Sequence, residues 1–355
     1  MPVTRTAFHP LTVAEVARLC DDAVAVSFDV PLSLRAEYQF QAGQWLTLRR
    51  TVAGQEERRS YSICAAQGDP LRIGVREVPD GVISTWLVNQ VRPGDQIDVG
   101  TPAGTFTTQA TAGQHVLIGA GSGITPLLSI ASTVLRNSSA NVVMFYVNRQ
   151  AGSVMFADEL ADLKDRYPSR LELAHILSRE LREPELFSGR LDASRLKALM
   201  ALLPDPAAVD HWWLCGPLGL VATTEDMLRD LGIPGERIHK ELFYADDETP
   251  QESARHEDAP VAGVASELTV VLDGRSTTIG LPADTAVLDG AQRVRPDLPF
   301  ACKGGVCGTC RAKLLSGTVH MRRNFALEEA ELAAGYILTC QSYPDSESLV
   351  VDYDA

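Results

Sequence analysis

The chain has 355 residues, 45% of them hydrophobic and 22% charged, which suits two or three folded domains rather than one core. Its formal net charge of −14 disfavours nucleic acid as a partner, because proteins that bind a phosphate backbone are usually basic. No apolar stretch has the length of a membrane helix, and Met1–Val13 lacks the basic start and apolar core of a signal peptide. We therefore expect a soluble, cytoplasmic protein with no membrane contact.

Residues 1–108 carry short strand-like segments separated by turns, a pattern typical of a small antiparallel β-barrel. The predicted strands include Ala23–Val30, Gln44–Leu48, Leu71–Val75 and Gln96–Val99. The turn signals between such segments are Ala53–Gly54, Pro79–Gly81 and Arg92–Asp95. The first domain is therefore expected to be all-β and to span residues 1–108.

Residues 109–244 change to alternating strands and helices, which predicts an α/β domain with a parallel sheet and helices on both faces. The predicted strands are His115–Ile118, Val142–Val147, Leu171–Leu177 and His211–Leu214. The predicted helices are Pro126–Leu135, Val154–Tyr167, Ala193–Leu203 and a fourth that runs through Leu231.

Residues 245–265 are acidic, contain Pro250 and Pro260 and show little apolar periodicity, which is the composition of a linker. A third, β-rich domain is predicted for residues 266–355. It opens with Leu268–Leu272 and Ser276–Ile279 around Asp273-Gly274, a strong signal for a β-hairpin.

The seven cysteines, an odd number, argue against a disulfide framework. Cys302-x4-Cys307-x2-Cys310, followed at a distance by Cys340, has the ligand spacing of plant-type [2Fe–2S] ferredoxins. The small, glycine-rich loop between these cysteines allows backbone N–H groups to point at the cluster. A structural zinc site is the alternative, but zinc sites usually pair two short Cys-x2–4-Cys knuckles and only one such pair occurs here.

Arg59–Ser62 reads Arg-Ser-Tyr-Ser and is expected to follow a barrel strand. It resembles the Arg-x-Tyr-Ser motif of the ferredoxin–NADP reductase superfamily. The resemblance implies that Arg59 pairs with a flavin phosphate and that Tyr61 packs on the isoalloxazine ring. It also implies that Ser62, beside Ser60, approaches the flavin nitrogen that receives hydride.

A second motif, at Gly81, Val82 and Ser84, resembles the Gly-x-x-Ser motif of the same superfamily. There, a helix N-terminus cradles the pyrophosphate, which favours FAD over FMN. Taken alone, the Arg-x-Tyr-Ser motif also fits a strand with a hydrogen-bonded tyrosine, and the Gly-x-x-Ser motif also fits a capped helix. Their succession within one predicted barrel favours the flavin interpretation.

Gly119–Pro126 follows an apolar strand and opens a helix, as a dinucleotide-binding loop does. Its glycines would allow a pyrophosphate to approach the backbone; they are Gly119, Gly121 and Gly123. The Rossmann Gly-x-Gly-x-x-Gly spacing is not matched, whereas Thr125-Pro126 resembles the reductase version of the loop. The alternative is a simple glycine turn between strand and helix.

Cys215, Gly216 and Pro217 follow the predicted strand Trp212–Leu214. In the same superfamily Cys-Gly-Pro lies beside the nicotinamide, so the resemblance implies that Cys215 helps to place the hydride donor. The alternative is a small buried hydrophobic residue. The resemblance also places an acidic residue and a terminal aromatic near the flavin, which are Glu241 and Phe243 here, although Phe243 fits a core role as well.

Ser178-Arg179 ends the third strand of the predicted sheet, and Arg149 follows the second. In relatives that use NADPH, a serine and an arginine here hold the 2′-phosphate. No acidic residue that would select NAD is apparent at the end of either strand. We therefore expect NADPH; the alternative is that Arg179 is merely solvated.

The order of FAD barrel, nucleotide domain and C-terminal α+β β-grasp ferredoxin resembles the reductase components of bacterial multicomponent oxygenases, closest to those of aerobic phenylacetate catabolism. The resembling stretches include Leu298–Cys307, Leu332–Gln341 and Ala161–Pro168. The resemblance implies electron delivery to a di-iron phenylacetyl-CoA epoxidase component. At Arg322-Arg323 the sequence carries more positive charge than the family's pattern has there. This departure could alter the face that docks the electron acceptor. The alternatives are the reductase of a steroid, alkane or aromatic hydroxylase, and an electron carrier or redox sensor without dehydrogenase activity.

Overall fold

The computed structural model describes residues 7–108, 112–244, 265–295, 297–327 and 329–355. Within these ranges the chain forms two compact units, of which residues 7–244 belong to the first and residues 265–355 to the second. The predicted linker, residues 245–265, lies outside the described residues except for its last position. The predicted domain boundaries stay predictions. None of the helices in the described parts of the chain is long and apolar enough to span a bilayer.

The N-terminal part of the first unit is an antiparallel barrel, as predicted. Its strands are β1 Phe8–Cys20, β2 Ala23–Asp29, β3 Trp45–Val52, β4 Gln55–Ser62, β5 Arg72–Arg76 and β6 Gln96–Gly100. They are ordered β4-β3-β6-β1-β2-β5, and a bridge between Ile63 and Ile73 joins the two edges. Helix α1, Val82–Asn89, packs on β5 and β4.

The β3–β4 hairpin turns at Ala53 and Gly54, which both have positive φ as a tight hairpin turn requires. Arg59–Ser62 therefore lies within β4, and the expectation that it follows a strand is wrong. The polar sequence of Gln55–Ser60 hides this strand, because it lacks the apolar alternation of a half-buried strand. Its residues pair one for one with β3.

The rest of the first unit is built on a five-stranded parallel sheet. Its strands are β7 Gln114–Ala120, β8 Asn141–Asn148, β9 Leu171–Leu177, β10 His211–Pro217 and β11 Ile238–Tyr244. Its helices are α2 Ile124–Asn137, α3 Ala157–Arg166, α4 Ala193–Met200 and α5 Leu218–Asp230. The strand order is β11-β10-β7-β8-β9, so the chain adds β8 and β9 on one side of β7 and then β10 and β11 on the other. Parallel sheets of this kind bind ligands at such a switch point, which here lies between β7 and β10.

The barrel and the parallel sheet share one hydrophobic core. Gly74 of β5 has no side chain, and Thr125 and Phe156 fill the space beside it. Phe156 is buried although its φ is 58°, an uncommon conformation for a bulky residue. This left-handed residue sets the start of α3, which begins three residues later than predicted.

Two bidentate ion pairs also join the barrel to helices of the parallel-sheet part. Arg136 of α2 donates to both Asp69 oxygens at 2.7 Å, and Arg72 of β5 donates to both oxygens of Glu159 on α3. Both ion pairs add to the contacts of the shared apolar core. The two parts of the first unit are therefore held together by packing and by paired charges.

The second unit is an α+β domain with its own core, built on a five-stranded sheet. Its strands are β12 Ser266–Leu272, β13 Arg275–Leu281, β14 Arg311–Ser316, β15 Val319–Met321, β16 Tyr336–Leu338, β17 Ser342–Pro344 and β18 Ser348–Asp352. Its helices are α6 Val287–Gln292 and α7 Glu329–Ala333. The main sheet has the order β13-β12-β18-β14-β16, and the predicted hairpin turns at Asp273 and Gly274 with positive φ at both.

Gly74→Ala is expected to destabilise the first unit, because the added carbon would lie 2.4 Å from Thr125 Cγ2 and 2.9 Å from Phe156 Cζ. Overpacking of this kind costs about 1–3 kcal/mol, which thermal unfolding followed by tryptophan fluorescence would show as a lower midpoint. Gly152→Ala is the control, since no atom lies within 4 Å of its added carbon. Equal midpoints for the two variants would contradict the expectation.

Candidate functional site

The glycine-rich loop joins the end of β7 to the start of α2 and packs closely against β10. A Cβ on Gly123 would lie 2.3 Å from the carbonyl oxygen of Cys215, and one on Gly119 would lie 2.5 Å from Leu127 Cδ1. Gly121 has a φ of 56°. Only glycines allow this close approach, which leaves the loop backbone open to a ligand at a helix start.

Cys215, Gly216 and Pro217 form the last residues of β10, so the strand is longer than predicted. Cys215 is fully buried, and burial followed by the charge of Glu241 raises the pKa of its thiol well above the usual value. Gly216 has a φ of 153°, and a Cβ there would meet Ala120 at 3.3 Å. The Cys-Gly-Pro segment and the glycine loop thus meet at the switch point of the sheet.

Ser62, Cys215 and Glu241 converge from the barrel and from two parallel strands. The Ser62 hydroxyl donates to Glu241 Oε2 at 3.3 Å, and Cys215 pairs with Glu241 across β10 and β11. Burial raises the pKa of Glu241 to about 8, and the hydrogen bond from Ser62 opposes this shift. The two predicted catalytic residues therefore lie at one site together with the acidic residue of the Glu241–Phe243 segment.

The remaining flavin-motif residues lie on β4 and α1. The Arg59 guanidinium is 40% exposed and contacts Glu57 at 3.0 Å, while Tyr61 packs half-buried against the barrel core. Ser60 lies 3.4 Å from Thr47 across the strand pair. This row leaves a cationic group and an aromatic face at the barrel surface, which fits a flavin phosphate and ring.

The Gly-x-x-Ser segment forms the start of α1, as predicted. Ser84 accepts a hydrogen bond from the backbone N–H of Val78 at 3.1 Å, so its hydroxyl fixes the turn before the helix. A Cβ on Gly81 would lie 2.4 Å from Ser84 Oγ. Val82, the first helical residue, is 42% exposed. A helix start with exposed amides and no side chain at Gly81 suits a pyrophosphate.

The predicted nucleotide residues fall in two groups. Thr125 and Pro126 are buried in the first turns of α2, where the Thr125 hydroxyl donates to the carbonyl of Ser122 at 2.9 Å. Arg149, Ser178 and Arg179 lie instead beyond the ends of β8 and β9, where the Arg179 N–H bonds to the Arg149 carbonyl at 2.8 Å.

Within the described residues, the side chains of Arg149 and Arg179 are exposed and make no hydrogen bond or ion pair. Two exposed guanidinium groups on adjoining loops suit a phosphate. Phe243 packs half-buried against the shared core, which fits its alternative role as core as well as a place near the site.

The four predicted cluster cysteines come together as two pairs. The Cys302 thiol interacts with that of Cys307, and the Cys310 thiol with that of Cys340, strongly enough to shift the pKa values of Cys302, Cys307 and Cys340. Two thiolates for each of two irons is the donor set of a [2Fe–2S] cluster. In the described parts of the chain, no group of three or more His, Cys, Asp or Glu side chains is arranged around a single metal ion.

The loop around these sulfurs supplies polar contacts and left-handed turns. Backbone N–H of Gly304 donates to Cys302 Sγ at 3.3 Å, and the Thr309 hydroxyl donates to Cys307 Sγ at 3.1 Å. Lys303, Gly305 and Gly308 have positive φ, which folds the loop tightly. The loop is therefore shaped to surround a small anionic group.

The thiol pKa values follow from this geometry. The hydrogen bond from Cys307 lowers the pKa of Cys302 to about 6, and backbone amides assist. The pKa of Cys307 and of Cys340 is raised, first because each thiol donates to its partner's sulfur and then by burial.

Two residues that sequence reasoning missed hold these loops in place. The Gln341 side-chain amide donates to the Lys303 carbonyl at 2.7 Å, which ties the residue after Cys340 to the cluster loop. The Tyr146 hydroxyl donates to the Gly121 carbonyl at 2.9 Å. The position of Gln341 directly after Cys340 could have indicated a role at the cluster loop. Tyr146 lies in an apolar strand, and nothing in the sequence distinguishes it from the core residues around it.

Comparison with known proteins gives matches over all three parts of the chain. Residues 10–108 match the oxidoreductase FAD-binding domain family, residues 117–226 the oxidoreductase NAD-binding domain family, and residues 270–345 the 2Fe-2S iron–sulfur cluster binding domain family.

Full-length relatives extend these matches. The chain is 41% identical to a component of the 1,2-phenylacetyl-CoA epoxidase of Escherichia coli strain K12, over 99% of each chain. It is 36% identical to the ferredoxin reductase component of 3-ketosteroid-9-alpha-monooxygenase of Mycolicibacterium smegmatis, over 97% of this chain and 96% of that one. The solved structure of phthalate dioxygenase reductase aligns with a TM-score of 0.63 at 25% identity, over 98% of each chain.

Glu241→Gln is expected to make stability less dependent on pH. The unfolded carboxyl ionises near its usual value and the folded one only near pH 8, so burial of Glu241 costs increasing stability as the pH rises between these values. The glutamine variant should gain on the order of a few kcal/mol over the native chain at pH 8 and nothing near pH 4.5. Thermal midpoints of both proteins across this range measure the difference, and parallel curves would contradict it.

Proposed function

We propose a function from one premise: this chain belongs to the family of oxygenase reductases that join FAD-binding, NAD-binding and [2Fe–2S] domains. It oxidises a reduced nicotinamide nucleotide and delivers single electrons to an oxygenase. The bound FAD supplies the conversion from hydride to single electrons, and the [2Fe–2S] cluster carries them one at a time. The observation that carries the proposal is the 41% identity that extends through all three parts of the chain.

The residues of the first unit bind and orient the two nucleotides. Ser62 and Cys215 hold the places where the flavin and nicotinamide rings would meet, and the full burial of Cys215 excludes water from that point. Glu241 retains its proton at neutral pH, since the pKa of its buried carboxyl is raised to about 8. The hydride site therefore carries no fixed charge that would oppose either ring.

The nucleotide is NADPH in this proposal. The exposed guanidinium groups of Arg149 and Arg179 and the hydroxyl of Ser178 support it, because they lie together beyond β8 and β9 and suit a 2′-phosphate. Cys302, Cys307, Cys310 and Cys340 would hold the cluster, because their sulfurs lie close enough to one another to interact.

The electron acceptor is the oxygenase component of a phenylacetyl-CoA epoxidase, in aerobic phenylacetate catabolism. Identity of 41% over 99% of both chains supports this acceptor over the 3-ketosteroid monooxygenase, whose reductase is 36% identical. We also propose a cytoplasmic location. None of the seven cysteines forms a disulfide, which is usual in a reducing compartment.

Arg179→Ala is expected to raise KM for NADPH by about tenfold or more and to leave KM for NADH unchanged, because a charge-assisted hydrogen bond to phosphate is worth about 1.5–3 kcal/mol. Steady-state reduction of ferricyanide with each nucleotide measures this. Arg166→Ala on α3 is the control for loss of an exposed guanidinium in the same part of the chain. An equal rise with NADH would refute the 2′-phosphate assignment.

Reconstitution tests the function as a whole. The native reductase, NADPH and the catalytic components of phenylacetyl-CoA epoxidase should together consume phenylacetyl-CoA, and 3-ketosteroid monooxygenase components should give a much lower rate. The Cys307→Ser variant should no longer support consumption of phenylacetyl-CoA and should lose the iron–sulfur absorbance. It should keep ferricyanide reduction, since the proposed hydride site lies in the other unit. Cys20→Ser is the matched control, because Cys20 belongs to β1, is not a predicted cluster ligand and donates a hydrogen bond to Asp22. Turnover in Cys307→Ser would contradict the electron path.

A further inference from the structure

The charge of the chain reverses locally around the cluster. Between Asp297 and Glu328 there is no carboxylate side chain, although the whole chain has a net charge of −14. The same stretch contains three of the four cluster cysteines. It also contains five cations: Lys303, Arg311, Lys313, Arg322 and Arg323.

The backbone of Arg322 and Arg323 lies against the cluster loop itself. The backbone N–H of Arg322 donates to the Gln341 carbonyl at 2.8 Å, next to Cys340. The Arg323 carbonyl oxygen lies 3.1 Å from the place where a Cβ of Gly305 would be. Segment Arg322-Arg323 is thus packed between the loop of the first three cysteines and the residue that follows the fourth.

Four of these five cations interact with neighbouring side chains: the Arg322 guanidinium donates to the Tyr343 hydroxyl at 3.3 Å and lies over that ring, and Lys313 lies over the Tyr336 ring. Lys303 forms an ion pair with Asp289 at 2.7 Å, and Arg311 forms one with Glu331 on α7. Arg323 is half-exposed and makes no ion pair or hydrogen bond with any residue of the described ranges. Arg323 therefore supplies a positive charge that a partner can reach. The nearest exposed carboxylate along the described chain is Glu329.

An apolar groove of about 280 Å³ adjoins this segment. Its lining includes Leu314, Val319, Met321, Leu332 and Ile337. Met321 directly precedes Arg322, and its sulfur accepts a hydrogen bond from the Leu338 N–H at 3.4 Å, two residues before Cys340. Leu332 is 40% exposed. The groove and the cationic pair therefore form one continuous surface beside the cluster.

We propose that this surface, Arg322-Arg323 with the adjoining groove, docks the electron acceptor through an acidic protein face that projects an apolar side chain. The proposal rests on the proposed function, because it assumes that the cluster is the exit for electrons. Charge complementarity speeds encounter, and a small apolar contact is enough for a complex that must dissociate after each electron. The acceptor face is acidic although the net charge of the reductase would suggest a basic partner.

The test uses the complete holoprotein, NADPH and two protein acceptors of opposite charge, the acidic cytochrome b5 and the basic cytochrome c. For the native protein, cytochrome b5 reduction should slow as ionic strength rises from about 20 to about 300 mM, while cytochrome c reduction should not. Arg323→Glu should lower the second-order rate constant for cytochrome b5 about tenfold at low salt and raise that for cytochrome c. Leu332→Gln should slow cytochrome b5 without changing its salt dependence.

Three controls separate the possible causes. Arg323→Lys should behave like the native protein, and Arg293→Glu, an exposed arginine after α6, should leave both cytochrome rates unchanged. Ferricyanide reduction should be the same in all variants. Loss of ferricyanide reduction in the native protein would refute the proposed function itself. Equal slowing of both cytochromes by Arg323→Glu, or an effect of Arg293→Glu as large as that of Arg323→Glu, would overturn the docking surface.

Discussion

Close packing of the barrel on the parallel sheet is the constraint on which the site of Ser62, Cys215 and Glu241 depends. Ser62 belongs to a barrel strand and Glu241 to the last parallel strand, so their hydrogen bond exists only while both parts stay in register. The missing side chain at Gly74 makes room for this approach, and the left-handed Phe156 fills that room with its ring. Strain of this kind persists only where the surrounding packing compensates for it.

The two redox sites have opposite electrostatic character. At the proposed hydride site, burial raises the pKa of both Cys215 and Glu241 and so favours their neutral forms, which would let two flat rings stack without a fixed charge beside them. At the cluster loop, backbone amide and hydroxyl donors point at sulfur. An anionic cluster needs such compensation, whereas a hydride that moves between two rings needs a dry and neutral cavity.

Much of this organisation was predictable from the sequence. The three-part fold, the parallel-sheet strands and the Asp273-Gly274 hairpin are confirmed, because apolar periodicity and turn residues encode them locally. The position of Arg59–Ser62 was wrong, since the polar half of β4 carries no periodic signal and its pairing with β3 creates the strand. The contributions of Tyr146 and Gln341 depend on contacts with distant loops, which spacing along the chain does not reveal. The individual roles of the site residues stay predictions.

Each compact unit has a hydrophobic core of its own: the residues of one cluster all come from the second unit, and those of the other three all come from the first. Mutations that change the surface of the second unit therefore need not perturb how the first unit holds the nucleotides. In evolution, such a chain can acquire a new client by altering or exchanging roughly its last quarter, while the machinery for oxidising the nucleotide is inherited intact.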